Sequence, residues 1–273
     1  MKKPLPAQLA FLENRNRVQK TSTQSMKGKL CIISGATSGV GLSAMRELAK
    51  GQANIVMVCR NLDKAKTIQK QLVDEFHVDV DIVIADFSVM SDVRRAADEI
   101  LKRYSRIDVL INSVGVHSTK KRFTKDNFEM VFAVNHLSVF LFTSLLLERM
   151  KSSAPSRIIQ VNSEGHRFSN VHINDLSFKK RIYTGLRSYG ASKTAQLMTV
   201  WEFADLLQGS GVTINAMHPG AVRTNIGNNN GRLYRWFLHH VTWHFLKDPI
   251  ISGQALYYFF KFSRTRQCQW NIL

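Results

Sequence analysis

Apolar and polar positions alternate along this chain in two periods. Short apolar runs rich in β-branched residues stand at 30–34, 54–59, 80–85, 107–111, 157–161 and 212–217. Between them lie stretches of helical length with an apolar face, at 40–50, 62–76, 91–104, 125–151 and 189–208. Strand runs alternating with amphipathic helices predict βαβ units. The expected fold is therefore α/β, a single Rossmann-type, doubly wound parallel sheet with helices on both faces. Nearly continuous apolar strands such as Ile55-Val56-Met57-Val58 fit burial on both faces.

The two ends depart from this pattern. Residues 1–28 are polar and basic without an apolar period, and read as a mobile arm or a short docking helix before a catalytic domain at 29–262. Within 228–248, aromatic residues such as Tyr234, Trp236, Phe237 and Trp243 interleave with Arg232, Arg235, His239 and Lys247. That segment reads as a lid over a greasy substrate, a membrane-surface foot, or an ordinary helix packed on the core. Residues 263–273 form an atypical tail.

The chain has 273 residues, 44% of them apolar, enough for one well-buried core. No apolar run is expected to reach the roughly 20 residues of a membrane helix, and the first residues do not form a signal peptide. Cys31, Cys59 and Cys268 give an odd count with no CxxC spacing, hence no disulfide framework. A cytoplasmic protein is expected, with peripheral membrane contact left open. The formal charge is +18, and the first 29 residues hold seven lysines and arginines against Glu13. Without a zinc finger, an RNA-binding aromatic motif or a helix-turn-helix, nucleic acid is not an expected partner. An anionic membrane surface or an anionic cofactor accounts for the charge at least as well.

Candidate chemistry begins in the turn Gly35-Ala36-Thr37-Ser38-Gly39-Val40-Gly41, between the first strand and the first helix. Glycines there allow a tight exit from the strand, close approach to a pyrophosphate and close packing of helix on strand, while the helix amides face the anion. The second strand ends in Cys59-Arg60-Asn61 without a carboxylate, and Lys64 follows, so NADP(H) is favoured over NAD(H). A solvated surface role is the other reading of Arg60. Asp86, ahead of Phe87 at the end of the third strand, is placed to accept from an adenine amine or to cap a helix. Tyr189 and Lys193 stand at i and i+4 and share a helix face, so the ammonium would make the ionised phenol less costly. A phenol tuned in this way exchanges a proton with an alcohol or ketone while a dinucleotide exchanges the hydride. His240 and His244 also share the i, i+4 spacing, but without further ligands no metal site is expected. Ser163 lacks the frame of a hydrolase nucleophile.

Five ordered motifs carry a resemblance: the glycine turn, Asn112-Ser113-Val114-Gly115, Asn135 in Val134-Asn135-His136-Leu137, Ser163 with Tyr189 and Lys193, and His218-Pro219-Gly220. Over roughly 29–262 the chain resembles the short-chain dehydrogenase/reductase family. Cys59-Arg60-Asn61, Glu164-Gly165-His166-Arg167 and the run from His218 to Thr224 are similar to its retinol dehydrogenase and WW-domain oxidoreductase branch. The resemblance implies an NADP(H)-dependent oxidoreductase acting on lipophilic small molecules such as retinoids, steroids or aldehydes. It assigns Ser163 to the substrate oxygen, Tyr189 to acid/base work, Lys193 to the tyrosine and the nicotinamide ribose, and Asn135 to a water reaching solvent. Pro219, Val222 and Thr224 would border the nicotinamide, and Asn112 and Gly115 would let the backbone approach the ribose. Three departures stand out: Ser34 for a usual threonine, Val114 for an alanine, and the 263–273 tail where relatives form a seventh strand. A homo-oligomer contact built on that strand would change with it. The alternative is a cofactor-binding scaffold or sensor with little turnover.

Overall fold

The computed structural model describes residues 21–224, 226, 227, 230, 231 and 246–259. Six strands, β1 (Leu30–Ser34), β2 (Asn54–Cys59), β3 (Val80–Ile84), β4 (Val109–Asn112), β5 (Ser156–Val161) and β6 (Val212–Met217), form one sheet in the order β3-β2-β1-β4-β5-β6. Every pairing is parallel. The order reverses between β1 and β4, and in open parallel sheets the crevice beyond the strand ends at such a switch point is where ligands bind.

Strand periodicity decides which helices cover which face. Ile33, Ile55 and Met57 point to one side, where they pack with α1 (Gly39–Lys50), α2 (Leu62–Phe76) and α7 (Ile250–Phe259). Their neighbours Ile32, Val56, Val58 and Leu110 point to the other, against α3 (Met90–Arg103), α5 (Ser138–Ser152) and α6 (Gly185–Leu206). Both layers are continuous buried apolar clusters, as a sheet buried on two faces requires. Cys31 and Cys59 are free, buried strand residues.

Three expectations are revised. The helix expected at 125–151 begins only at α4 (Met130–Phe132), because Asn127 has φ 62° and the preceding residues form a turn closed by Asn127 N–H to the Thr124 carbonyl. A π-helical turn, Ala133–Leu137, then joins α4 to α5. The result is an unbroken helical run, Met130–Ser152, of 23 residues that is long and apolar enough by composition to cross a membrane, contrary to the reading of the sequence. Its most apolar window is 61% buried, and Phe142, Leu146 and Met150 pack on the sheet, so it is the central core helix of this layer. The helix expected at 189–208 starts earlier, at Gly185, because the Thr184 side chain caps it by accepting from the Arg187 N–H.

The arm read at 1–28 is tied down where it is described: Met26 N–H donates to the Gly51 carbonyl at 2.7 Å, and the Tyr257 hydroxyl donates to the Gln24 carbonyl. Of the lid read at 228–248, only 230, 231 and 246–248 are described, and there Lys247 bridges Val222 in parallel. Most of that segment, the 263–273 tail and the place of a seventh strand lie outside the described residues.

Candidate active site

A groove of about 710 Å³ runs along the carboxyl ends of the strands at the switch point, within the size range of cofactor and small-molecule sites. At one end lies the glycine turn. Gly35 and Gly39 have φ of +71° and +54°, conformations that side chains rarely adopt. A Cβ on Gly35 would meet the Val114 backbone nitrogen at 2.7 Å, so its absence lets the β1 turn nest against the loop after β4. Helix α1 opens behind Ser38 without a side-chain cap and without an acidic residue in its first turn. By contrast, Asn61 caps α2 and Thr184 caps α6. The first amides of α1 and its positive dipole end therefore suit an anion, and these residues fit the pyrophosphate of a dinucleotide.

The groove brings together Gly35, Thr37, Ser38, Gly39, Val40, Arg60, Asn61, Lys64, Asp86, Phe87, Gly115, Ser163, Tyr189, Lys193, Pro219, Val222 and Thr224. Three expected residues stand behind its wall. Gly41 lies inside α1, where a Cβ would sit 2.4 Å from the Gly35 carbonyl oxygen, so its smallness serves helix-on-turn packing. Asn112 is fully buried; it accepts from the Ser34 hydroxyl at 3.3 Å and donates to Thr143 Oγ1 at 3.0 Å. Asn135 is fully buried in the π turn. Its Oδ1 accepts from the Val116 N–H at 2.7 Å, while its Nδ2 donates to the Val116 carbonyl and the Ser192 hydroxyl, each at 3.0 Å. It ties the loop after β4 to α6. The π turn follows from that work, since a π-bulge re-aims a helical side chain, a device frequent at functional sites.

Ser163, at the end of the β5 loop, hydrogen-bonds the Tyr189 phenol and accepts from the Gly165 N–H at 3.1 Å. A Cβ on Gly165 would lie 2.7 Å from the Tyr189 ring, so that glycine lets the ring reach Ser163. Asn162 anchors the same corner, donating to the Lys193 carbonyl at 3.0 Å. The Lys193 ammonium lies 5.9 Å from the Tyr189 ring centroid and donates to the Val161 carbonyl at 2.9 Å and to Gln196 Oε1 at 3.1 Å. Burial pushes the Tyr189 phenol above its ordinary range, with the Ser163 hydroxyl pulling it back, and burial brings Lys193 down to about 7. The simple expectation of a phenol lowered by its neighbour is thus opposed by desolvation in this groove.

Residues the sequence reading passed over also line the groove, among them His117, Arg122 and His218. The His117 ring meets Tyr189 edge-on at 5.7 Å between centroids, and burial lowers its pKa. His117 and Arg122 lie in the long loop after β4, which has no periodicity to flag them. His218 belongs to the His218-Pro219-Gly220 motif but carries no role there, since nothing in the sequence turns it toward the groove.

The short chain dehydrogenase family profile matches residues 29–233. The chain is 36% identical to human (Homo sapiens) retinol dehydrogenase 13 over 242 residues, 87% of this chain and 73% of that protein. It is 37% identical to mouse (Mus musculus) retinol dehydrogenase 14 over 246 residues, 85% of this chain and 73% of that protein. In the crystal structure of an uncharacterized protein from Mycobacterium Paratuberculosis, 29% identical, the fold superposes with a TM-score of 0.70 over 88% of this chain and 80% of that one. With a parallel six-stranded sheet, a glycine turn at its switch point and a Ser-Tyr-Lys cluster beside it, the chain belongs to the short-chain dehydrogenase/reductase family, in the retinol dehydrogenase branch, as an oxidoreductase acting on CH–OH donors.

Proposed function

We propose that this chain interconverts an alcohol and a carbonyl on a lipophilic substrate of retinoid, steroid or aldehyde type, using NADP(H) rather than NAD(H). The observation that carries the reading is the meeting of Ser163, Tyr189 and Lys193 in one groove whose far end is the glycine turn. When bound, the nicotinamide supplies or accepts the hydride. Ser163 holds the substrate oxygen as charge develops on it, and Tyr189 passes a proton between its phenol and that oxygen. Lys193 would stabilise the phenolate and hold the nicotinamide ribose, and Pro219, Val222 and Thr224, which line the same groove, would hold the nicotinamide. Asn135 keeps Val116 and Ser192 in register. Both ends of its side chain are engaged, so a water linking Lys193 to solvent would rest on its main chain.

For the cofactor, Arg60 and Lys64 line the groove at the end of β2, where a 2′-phosphate would be received and no carboxylate stands. Asp86 lies further along for the adenine. The lipophilic substrate is supported by the apolar side chains Val114, Val116, Met130 and Val134 in the groove wall and by the names of the retinol dehydrogenase relatives.

The test follows cofactor absorbance with retinoids, steroids and medium-chain aldehydes, using NADPH and NADH in parallel. Turnover with NADPH is expected. Tyr189→Phe should lose about 10²–10⁴-fold in turnover, the usual weight of a general acid/base, while NADPH still binds. NADPH binding without turnover on any of these substrates overturns the reading in favour of a cofactor-binding scaffold or sensor.

A further inference from the structure

Lys193 is held from below by a chain of buried side chains that the proposed chemistry does not use. Its ammonium donates to Gln196 Oε1 at 3.1 Å. Gln196 Nε2 donates in turn to Gln160 Oε1 at 3.4 Å, and Gln160 Nε2 to Thr143 Oγ1 at 3.2 Å. Thr143 also accepts from Asn112 Nδ2 at 3.0 Å, and Asn112 Oδ1 accepts from the Ser34 hydroxyl at 3.3 Å. These five residues come from α6, β5, α5, β4 and β1, and none is more than 2% exposed.

The chain has a direction. From Gln196 to Thr143 each amide turns its N–H away from the lysine and its carbonyl toward it, so the dipoles align with the oxygen end at the cation. Aligned hydrogen bonds polarise one another, and in a dry interior that favours the charged form of the group at the oxygen end. Neither amide can be rotated without placing an N–H against the ammonium or leaving a buried donor without an acceptor.

We infer that Gln196 is a positioning residue of this enzyme: its carbonyl, oriented by Gln160 and Thr143, fixes the Lys193 ammonium at the floor of the groove and keeps it protonated. With the Val161 carbonyl taking a second N–H at 2.9 Å, one of the three lysine donors is left for the groove that Lys193 lines. Burial alone draws Lys193 down to about 7, so the residue that opposes deprotonation decides how far into the alkaline range the site stays cationic. The ionisable groups that share the groove are Tyr189 on the same helix, His117 after β4, His218 after β6, Asp86 after β3, and Cys59, Arg60, Lys64 and Arg122 along its length. All of these are on the groove side. On the interior side, among the described residues, the lysine bonds the Val161 carbonyl and Gln196, and of the two Gln196 is the one a substitution can change.

The inference rests on the reading of Lys193 as the partner of Tyr189, and its test does not depend on turnover. The full chain, labelled with 13Cε-lysine, is titrated by NMR, with the Lys193 signal assigned by its loss in Lys193→Arg. Gln196→Met removes the acceptor and should lower the Lys193 midpoint by about one pH unit, the worth of one hydrogen bond to a charge. Gln196→Glu keeps an acceptor, adds charge and should raise it by at least as much. In an active enzyme the alkaline limb of the kcat/KM profile should move with the midpoint in each variant. An unmoved midpoint in both variants, with only a uniform drop in kcat, overturns the role of Gln196. A midpoint that moves in a protein without turnover supports it while overturning the proposed function.

Discussion

Gly41 reads from sequence both as a packing glycine and as a cofactor contact, and the packing role is the one its surroundings carry: its missing side chain faces the Gly35 carbonyl and not the groove. Gly41→Ala forces helix and turn apart, and overpacking of this kind should cost about 1–3 kcal/mol, read as a lower denaturant midpoint, with weaker NADPH binding as α1 tilts. Ser163, Tyr189 and Lys193 were readable because their chemistry fixes residue type and spacing. Asn112 was read only for its backbone and Gln196 not at all, because a polar side chain in a buried network looks like any other until its partners are known. His136 is a case of burial invisible in the sequence: packed beside Phe132 and Phe140, it is held down to about 4 by desolvation. A histidine that stays neutral in the fold but takes a proton near 6.5 when unfolded leaves the unfolded chain binding more protons between those values. Its contribution is therefore complete above about 6.5 and lost as pH falls toward about 4, a drop of roughly 2–3 kcal/mol. In His136→Phe the plot of unfolding free energy against pH should be flatter by that amount across the same window, and an unchanged slope would assign the acid sensitivity elsewhere.

At the scale of elements, periodicity located the strands and most helices to within a residue or two, and failed where a side chain rather than the apolar pattern sets the boundary. Glu129 is the instance that matters for the site. Only 2% exposed, it accepts from the Val131 and Phe132 amides at the start of α4, from the Ser188 hydroxyl of α6 at 3.0 Å and from the Tyr183 hydroxyl at 3.4 Å. One carboxylate thus caps one helix and clamps it to another, next to Tyr189. Read as a sequence, Glu129 is merely an acid near the start of a long helical stretch. Glu129→Ala would strand two amides and the Ser188 hydroxyl in the interior, while the Tyr183 hydroxyl keeps the Ser118 carbonyl at 3.1 Å, and should destabilise the fold by about 3 kcal/mol or more in urea unfolding. Thr184→Ala, which removes only the cap of α6, should cost about 1 kcal/mol. Equal losses in the two variants would mean that Glu129 acts as a cap and not as a clamp.

For the whole molecule, the alternation of strand and helix was enough to derive the parallel sheet and its two covered faces, since few topologies satisfy the connection rules, whereas the crevice at the switch point follows from the strand order. The excess of positive charge, +18, could not be assigned from sequence to any one partner. The groove narrows the choice, because Arg60 and Lys64 line it at the end of β2, where the proposed NADP(H) would place its 2′-phosphate, and the remaining charge would act as a general field. The two contributions separate by their range. A general field attracts NADH and NADPH alike and is screened as ionic strength rises from roughly 0.01 M to roughly 1 M, over which the Debye length shrinks from about 30 Å to about 3 Å. Direct contact with a 2′-phosphate, which carries about −1.5 to −2 charge near pH 7, favours NADPH alone and survives screening in part. Dissociation constants for both cofactors, measured by fluorescence titration across that salt range, should therefore weaken together while their ratio keeps most of its value. In the Arg60→Ala, Lys64→Ala double variant the ratio should approach one, whereas the salt dependence of NADH should barely change. If instead the ratio collapses with salt in the unaltered chain, the preference comes from the field of the whole surface, and the end of β2 holds no phosphate site.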